Sequence, residues 1–220
     1  MIKAIDIIIL CAVRNEYKAA KSILNLDCRN AGILEGFIST EGRLNNSSCL
    51  IILMGVGGKR SKLCIQETLK IYKPSQVIVF GAAGAINPNL KIGVVTAPSV
   101  IINYKLPYLE LEGNKMNTKV NKIKHKSSIN NIVITKAGTC ERFIGSKKLR
   151  QSILNKLQLD TTDCETYYIA CICEKMCIPF IAFRCITDSA DNKAIFHYLF
   201  KAQKILNSGA QIVKEVLSME

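Results

Sequence analysis

Thr161 to Asp191 reads TTDCETYYIACICEKMCIPFIAFRCITDSAD, and the order of elements within it decides the fold. Thr161-Thr162-Asp163 has the composition of a helix start, and Glu165 stands three residues after Thr162, the spacing of a capping box. Tyr167 to Met176 then predicts a helix with little polar surface. Pro179 stops it, because proline has no N–H to give a helix and crowds the preceding turn. Pro179 to Ile186 is a short apolar run suited to a buried strand. Thr187-Asp188-Ser189-Ala190-Asp191 follows at the carboxyl end of that run, where open parallel α/β sheets place their ligands. One carboxylate, Glu165, therefore heads a buried helix, and another, Asp188, leaves a buried strand. An apolar surround penalises ionisation, which is how acids are tuned for proton transfer.

Upstream, the same alternation recurs. Ile5 to Leu10 is a β-branched run read as the first buried strand. A helix follows, with Ala19, Ala20, Ile23 and Leu24 on one face, Asn15 as its cap and Glu16 in its first turn. The helix dipole alone would favour a carboxylate there. Gly32 to Thr40 and Cys49 to Met54 predict two strands joined by the turn-rich Glu41 to Ser48. Gly55-Val56-Gly57-Gly58-Lys59 comes next. Glycines between a strand and a helix let backbone approach a ligand, although the spacing of a Walker loop is absent. Ser61 to Tyr72 is an amphipathic helix closed by Pro74, and Gln76 to Phe80 is a buried strand. It runs into Gly81-Ala82-Ala83-Gly84, whose small side chains allow either tight packing or a flat ligand. Lys91 to Ala97 reads as a turn and a strand.

Asn103 to Asn131 is rich in Lys and Asn and reads as a surface loop. Ile132 to Thr135 is a strand leading to Ala137 to Gly145, and Lys147 to Leu157 is a helix. His197 to Leu217 is a long closing helix with Ala202, Ile205, Leu206, Ala210, Val213 and Leu217 on its buried stripe. The alternation of strands and helices predicts one α/β domain over residues 1–220. Its expected architecture is a three-layer α/β/α sandwich around a twisted, mainly parallel mixed sheet.

Bulk properties narrow the function classes. Of the 220 residues 49% are hydrophobic, which excludes a disordered chain, and no apolar run is long enough for a membrane span. The N-terminal apolar run has no small-residue cleavage site and reads as a strand. The formal charge of +13 is spread along the chain. Lys115 to Arg150 is its densest part and lacks the aromatic interleaving of a stacking platform, so a solvated basic surface is expected and no nucleic-acid partner. Most of the 10 cysteines lie inside apolar runs, where thiols behave as small hydrophobes. No Cys-x-x-Cys pair exists, so no metal site is expected, and reduced thiols fit a cytoplasmic protein.

Taken together, Ala12-Val13-Arg14-Asn15-Glu16, Gly55-Val56-Gly57, Gly81-Ala82-Ala83-Gly84, Phe143-Ile144, Cys164-Glu165 and Arg184 to Asp191 resemble the nucleoside phosphorylase/nucleosidase superfamily. The branch they look most like is the bacterial 5'-methylthioadenosine/S-adenosylhomocysteine nucleosidases. The last motif is the most specific. That resemblance implies hydrolysis of an N-glycosidic bond in purine nucleoside catabolism and methionine salvage, with no cofactor, by a homodimer. It implies Asp188 as the acid at purine N7 and Glu16 as the base that activates water. Glu165 would grip ribose hydroxyls with Cys164 beside the ribose, and Arg184 would orient Glu165. Phe143 and Ile144 would contact adenine, with Ala83 and Gly84 in the same substrate site. Val13, Val56 and Tyr198 would form an apolar pocket for the 5' group. Three departures accompany the match: Ala82 and Thr187 stand where the family has serine, and Cys164 where it has methionine.

Two other readings compete. A phosphorylase would use phosphate instead of water and needs arginines; only Arg14 and Arg60 lie near the glycine loops, and Glu16 would repel the anion. A superfamily member binding a nucleoside or nucleic acid without turnover would account for the charge and the missing serine.

Overall fold

The computed structural model describes residues 2–23, 31–118 and 132–218. Ten strands and five helices are described. They are β1 (Lys3–Cys11), α1 (Arg14–Lys21), β2 (Ala31–Leu34), β3 (Phe37–Leu44), β4 (Ser47–Leu53), α2 (Gly58–Ile71), β5 (Tyr72–Ala85) and β6 (Val95–Lys105). They continue with β7 (Glu110–Asn117), β8 (Ile132–Thr139), α3 (Lys147–Leu157), β9 (Thr161–Asp163), α4 (Thr166–Lys175), β10 (Phe180–Asp188) and α5 (Ala194–Leu217). All strands join one mixed sheet. β4, β1, β5 and β10 are parallel neighbours, which fits their nearly continuous apolar runs. β2 and β3 add an antiparallel edge. On the other side β10 pairs with both β5 and β6, and β6, β8, β9 and β5 pair in turn, so these five strands close a ring.

Helices cover both faces. α1 and α5 pack Tyr17, Ala19, Ala20, Ala202, Leu206, Ala210 and Val213 against Ile9, Ile51, Ile78 and Phe183. α2 and α4 pack Cys64, Ile65, Ile169 and Cys173 against Leu10, Ile52, Val77 and Val79. The expected three layers are therefore present. α3 closes the ring from outside through Ile153 and Leu157, which join Tyr104 and Ile144.

Several sequence expectations change in detail. Gly32 to Thr40 is a hairpin of two strands, and β3 runs on through much of the predicted turn. Pro74 lies inside β5, opposite Ile5 of β1, because α2 has already ended at Ile71. Its missing N–H is tolerated near the strand's start. β5 continues through Gly81 to Ala85 as strand, so the small residues belong to the sheet and not to a loop. Part of the expected surface loop is instead the β6–β7 ladder. Residues 119–131 and Leu24 lie outside the described residues.

Candidate active site

The decisive stretch folds differently from its capping-box reading. Thr161–Asp163 is a strand between β8 and β5, and α4 starts only at Thr166. Asp163 provides the cap: its Oδ1 accepts from the backbone N–H of Glu165 and of Thr166, both at 3.0 Å, and from the Thr139 hydroxyl at 2.8 Å. This frees the Glu165 side chain, whose Oε1 accepts from Gly57 N–H at 3.1 Å. Gly57 has φ +88°, a left-handed conformation suited to glycine. α1 likewise begins two residues earlier than expected, with Val13 and not Asn15 at its N-cap.

Arg184 lies beneath this cluster, 1% exposed. Its Nε is 3.2 Å from Asp163 Oδ2 and its Nη2 is 3.5 Å from Glu165 Oε2. The same guanidinium donates twice to the Thr166 hydroxyl, at 3.0 and 2.6 Å. Arg184 does not line the cavity and pairs with Glu165 from beneath, the placement expected of a residue that orients that carboxylate. Its full set of partners is what makes a buried guanidinium tolerable.

Glu16 reaches the site from α1. Its Oε2 accepts from Ala12 N–H at 2.7 Å and Val13 N–H at 3.1 Å, and its Oε1 from Ala82 N–H at 2.8 Å. Ala82 therefore serves through its backbone, which explains how the family serine is dispensable for this contact. Burial raises the Glu16 pKa, while Arg184 and the three N–H groups pull it back down. Burial likewise raises Glu165 despite Arg184, with Asp163 and Glu16 adding like-charge repulsion.

Asp188 ends β10. Its Oδ1 accepts from Ala190 N–H at 2.8 Å and its Oδ2 from the Thr187 hydroxyl at 3.0 Å, so threonine preserves the hydroxyl of the family serine. Burial pushes its pKa from 3.8 to about 6, and those two hydrogen bonds oppose the rise. Gly84 approaches closely: a Cβ there would lie 3.0 Å from Asp188 Oδ1.

The three carboxylates open into one cavity of about 370 Å³. Cys164, Ala83, Gly84, Phe143, Ile144, Val13, Val56 and Tyr198 also line it, so every proposed site residue except Arg184 meets there. Arg142, Asp163, Ile195 and Leu199 line it as well and were not singled out from the sequence. Leu199 sits off the buried stripe of the closing helix and Ile195 lies before its predicted start, so neither carried a periodic signal. Arg142 had none beyond its adjacency to Phe143. Among the described residues no group of three or more His, Cys, Asp and Glu could hold a metal ion.

The chain is similar to known proteins over most of its length. The 5'-methylthioadenosine/S-adenosylhomocysteine nucleosidase of Staphylococcus haemolyticus is 23% identical over 198 residues, covering 81% of this chain and 85% of that protein. The aminodeoxyfutalosine nucleosidase of Helicobacter pylori is 20% identical over 228 residues, covering 95% and 96%. The crystal structure of the H. pylori 5'-methylthioadenosine/S-adenosylhomocysteine nucleosidase with butyl-thio-DADMe-Immucillin-A superposes with a TM-score of 0.87 at 19% identity, over 100% of both chains. The family model of the phosphorylase superfamily matches residues 6–218, and the chain belongs to that superfamily.

Proposed function

We propose that this chain is a nucleosidase that hydrolyses the N-glycosidic bond of a 5'-substituted adenine nucleoside, releasing adenine. The convergence of Glu16, Glu165 and Asp188 in one largely apolar cavity carries the reading. Asp188 gives its proton to purine N7 as the C1'–N9 bond breaks, and a pKa near 6 leaves it a useful acid close to neutral pH. Glu16 takes a proton from the water whose oxygen bonds to C1'. The three backbone N–H groups fix its carboxylate for that step. Glu165, held by Gly57 and Arg184, accepts from ribose hydroxyls and stabilises the positive charge that grows on the sugar. Phe143 and Ile144 contact adenine, and Val13, Val56 and Tyr198 face the 5' substituent.

Water is favoured over phosphate by charge. A phosphate in the cavity would meet three carboxylates, while Arg184 is already engaged beneath them. Adenine release from 5'-methylthioadenosine in phosphate-free buffer tests the reading. Release at full rate is expected. A strict requirement for phosphate would make the chain a phosphorylase, and no cleavage together with salt-dependent DNA binding would make it a non-catalytic binder.

A homodimer and a reducing, cytoplasmic setting complete the proposal. Ile195, Phe196, Leu199 and Phe200 are exposed along the start of α5, Ile195 and Leu199 lining the cavity, and form an apolar stripe that a second copy would cover. The nine described cysteines are all unpaired, and no described helix is long and apolar enough to cross a membrane. Sedimentation at micromolar concentration distinguishes monomer from dimer.

A further inference from the structure

A second cavity of about 350 Å³ adjoins the first and shares Ala12, Val13 and Val56 with it. Of these, Val13 and Val56 are the residues proposed above to face the 5' substituent. Its outer wall carries Arg14 and Arg60. Neither has a carboxylate at ion-pair distance among the described residues. The Arg60 guanidinium lies over the Phe37 ring, 5.0 Å from its centroid, which holds the planar group without consuming its hydrogen-bond donors. Gly55 clears its path: a Cβ at that position, which has φ +88°, would lie 2.8 Å from Arg60 Nε. Between the ribose site and the two arginines the wall is apolar, with Val56 and Ile38 both substantially exposed.

We infer that this second cavity is a subsite for the acidic end of a long 5' substituent, and that Arg14 and Arg60 make the enzyme prefer acid-terminated substrates over neutral ones. The inference rests on the nucleosidase reading above. Apolar wall first and charge last is the order that a methylene chain ending in a carboxylate requires. Two guanidiniums without anionic partners supply charge-assisted donors for it. The machinery for glycosidic cleavage lies on the other side of Val13, so the arginines act on which substrate is held and not on bond breaking.

The test compares three 5'-deoxyadenosines bearing at sulfur a methyl group, a 3-carboxypropyl group, or the primary amide of that acid. In the wild type, kcat/KM for the acid should exceed that for the amide by about tenfold or more, as expected of hydrogen bonds to a charged group. In the double variant Arg14→Gln/Arg60→Gln the two should become equal, with the methyl compound cleaved at an unchanged rate. Equal rates for acid and amide in the wild type, or a ratio untouched by the double variant, would overturn the inference while leaving the nucleosidase reading intact. Inorganic phosphate, compared with chloride at matched ionic strength, should compete with the acid and leave the methyl compound unaffected. Acceleration of the methyl compound by phosphate would instead make the cavity a co-substrate site and sink the proposal. If no compound is cleaved, the nucleosidase reading fails. Calorimetric affinities for acid and amide then decide the subsite by itself: tighter acid binding that the double variant abolishes supports it, and equal affinities refute it.

Discussion

The floor and the rim of the nucleoside cavity differ in how completely their atoms are accounted for. On the floor, both oxygens of Glu16, Glu165 and Asp188 have an assigned donor, and no more than 5% of any of these residues is exposed. On the rim, Val56, Phe143, Ile195 and Leu199 are about half exposed or more. A floor built this way cannot drift without breaking hydrogen bonds between strands and loops that are themselves buried. The rim can change residue by residue at small cost. On the proposed function the difference separates chemistry from substrate choice: the carboxylates are held by sheet and backbone, and the 5' group would meet side chains that little else in the chain constrains.

The largest effect should come from removing the acid on the floor. Asp188→Asn keeps an oxygen for Ala190 N–H but loses the proton donor, and turnover should fall by roughly 10³-fold. Stability should move the other way. The folded-state pKa of Asp188 is raised, so the carboxylate is penalised as pH rises through about 6, and the penalty is absent below the ordinary value of 3.8. The asparagine variant should therefore be more stable than wild type at pH 8, by up to about 3 kcal/mol of unfolding free energy, and equally stable at pH 3.5. Calorimetry of both proteins at the two pH values checks this. The same shift shapes activity: kcat/KM should fall as pH rises past about 6, where Asp188 loses its proton, and fall again at low pH, where Glu16 gains one. A flat profile across that range would remove Asp188 from the acid role.

A smaller effect tests whether the floor is held as tightly as its hydrogen bonds imply. A Cβ at Gly81 would lie 2.5 Å from Glu16 Oε1 and 2.7 Å from Arg184 Nη1. Gly81→Ala must displace the base, the guanidinium under Glu165, or the strand. Turnover should drop about 10²-fold, in keeping with the sensitivity of catalysis to misplacement on the ångström scale, and thermal stability should fall with it. Retention of normal turnover would show that the floor relaxes, and the contrast with the rim would lose its basis.

The same contrast explains what was legible in the sequence. β1, β5 and β10 announced themselves as β-branched and apolar runs because both of their faces are buried. Glu165 and Asp188 drew attention because they stand where a buried helix begins and a buried run ends, whereas Glu16 was singled out by the family resemblance alone. Arg184 was expected beside Glu165, but nothing in its spacing shows that Asp163 and Thr166 surround it as well. Asp163 was missed as the cap because Thr162-to-Glu165 spacing imitates a capping box, while the strand pairing of Thr161–Asp163 with β5 and β8 is a long-range event. Ile195 and Leu199 were missed because exposed apolar residues on a helix have no periodic signature of their own.

The smallest effect should fall on that rim. Leu199 is 71% exposed on α5 and lines the cavity. Leu199→Ser removes apolar surface that a 5'-alkylthio group covers, without touching a hydrogen bond of the floor. Because so little of the side chain is buried within one copy, the unfolding free energy of the monomer should change by no more than about 0.5 kcal/mol. Covering one or two methylenes is worth about 1 kcal/mol, so KM for an alkylthio substrate should rise by about fivefold with kcat unchanged. Lengthening the alkyl chain from methyl to butyl should widen the gap between variant and wild type, since more of the chain reaches the missing surface. A fall in kcat with constant KM would place Leu199 in transition-state contact, and rim and floor would then act as one unit.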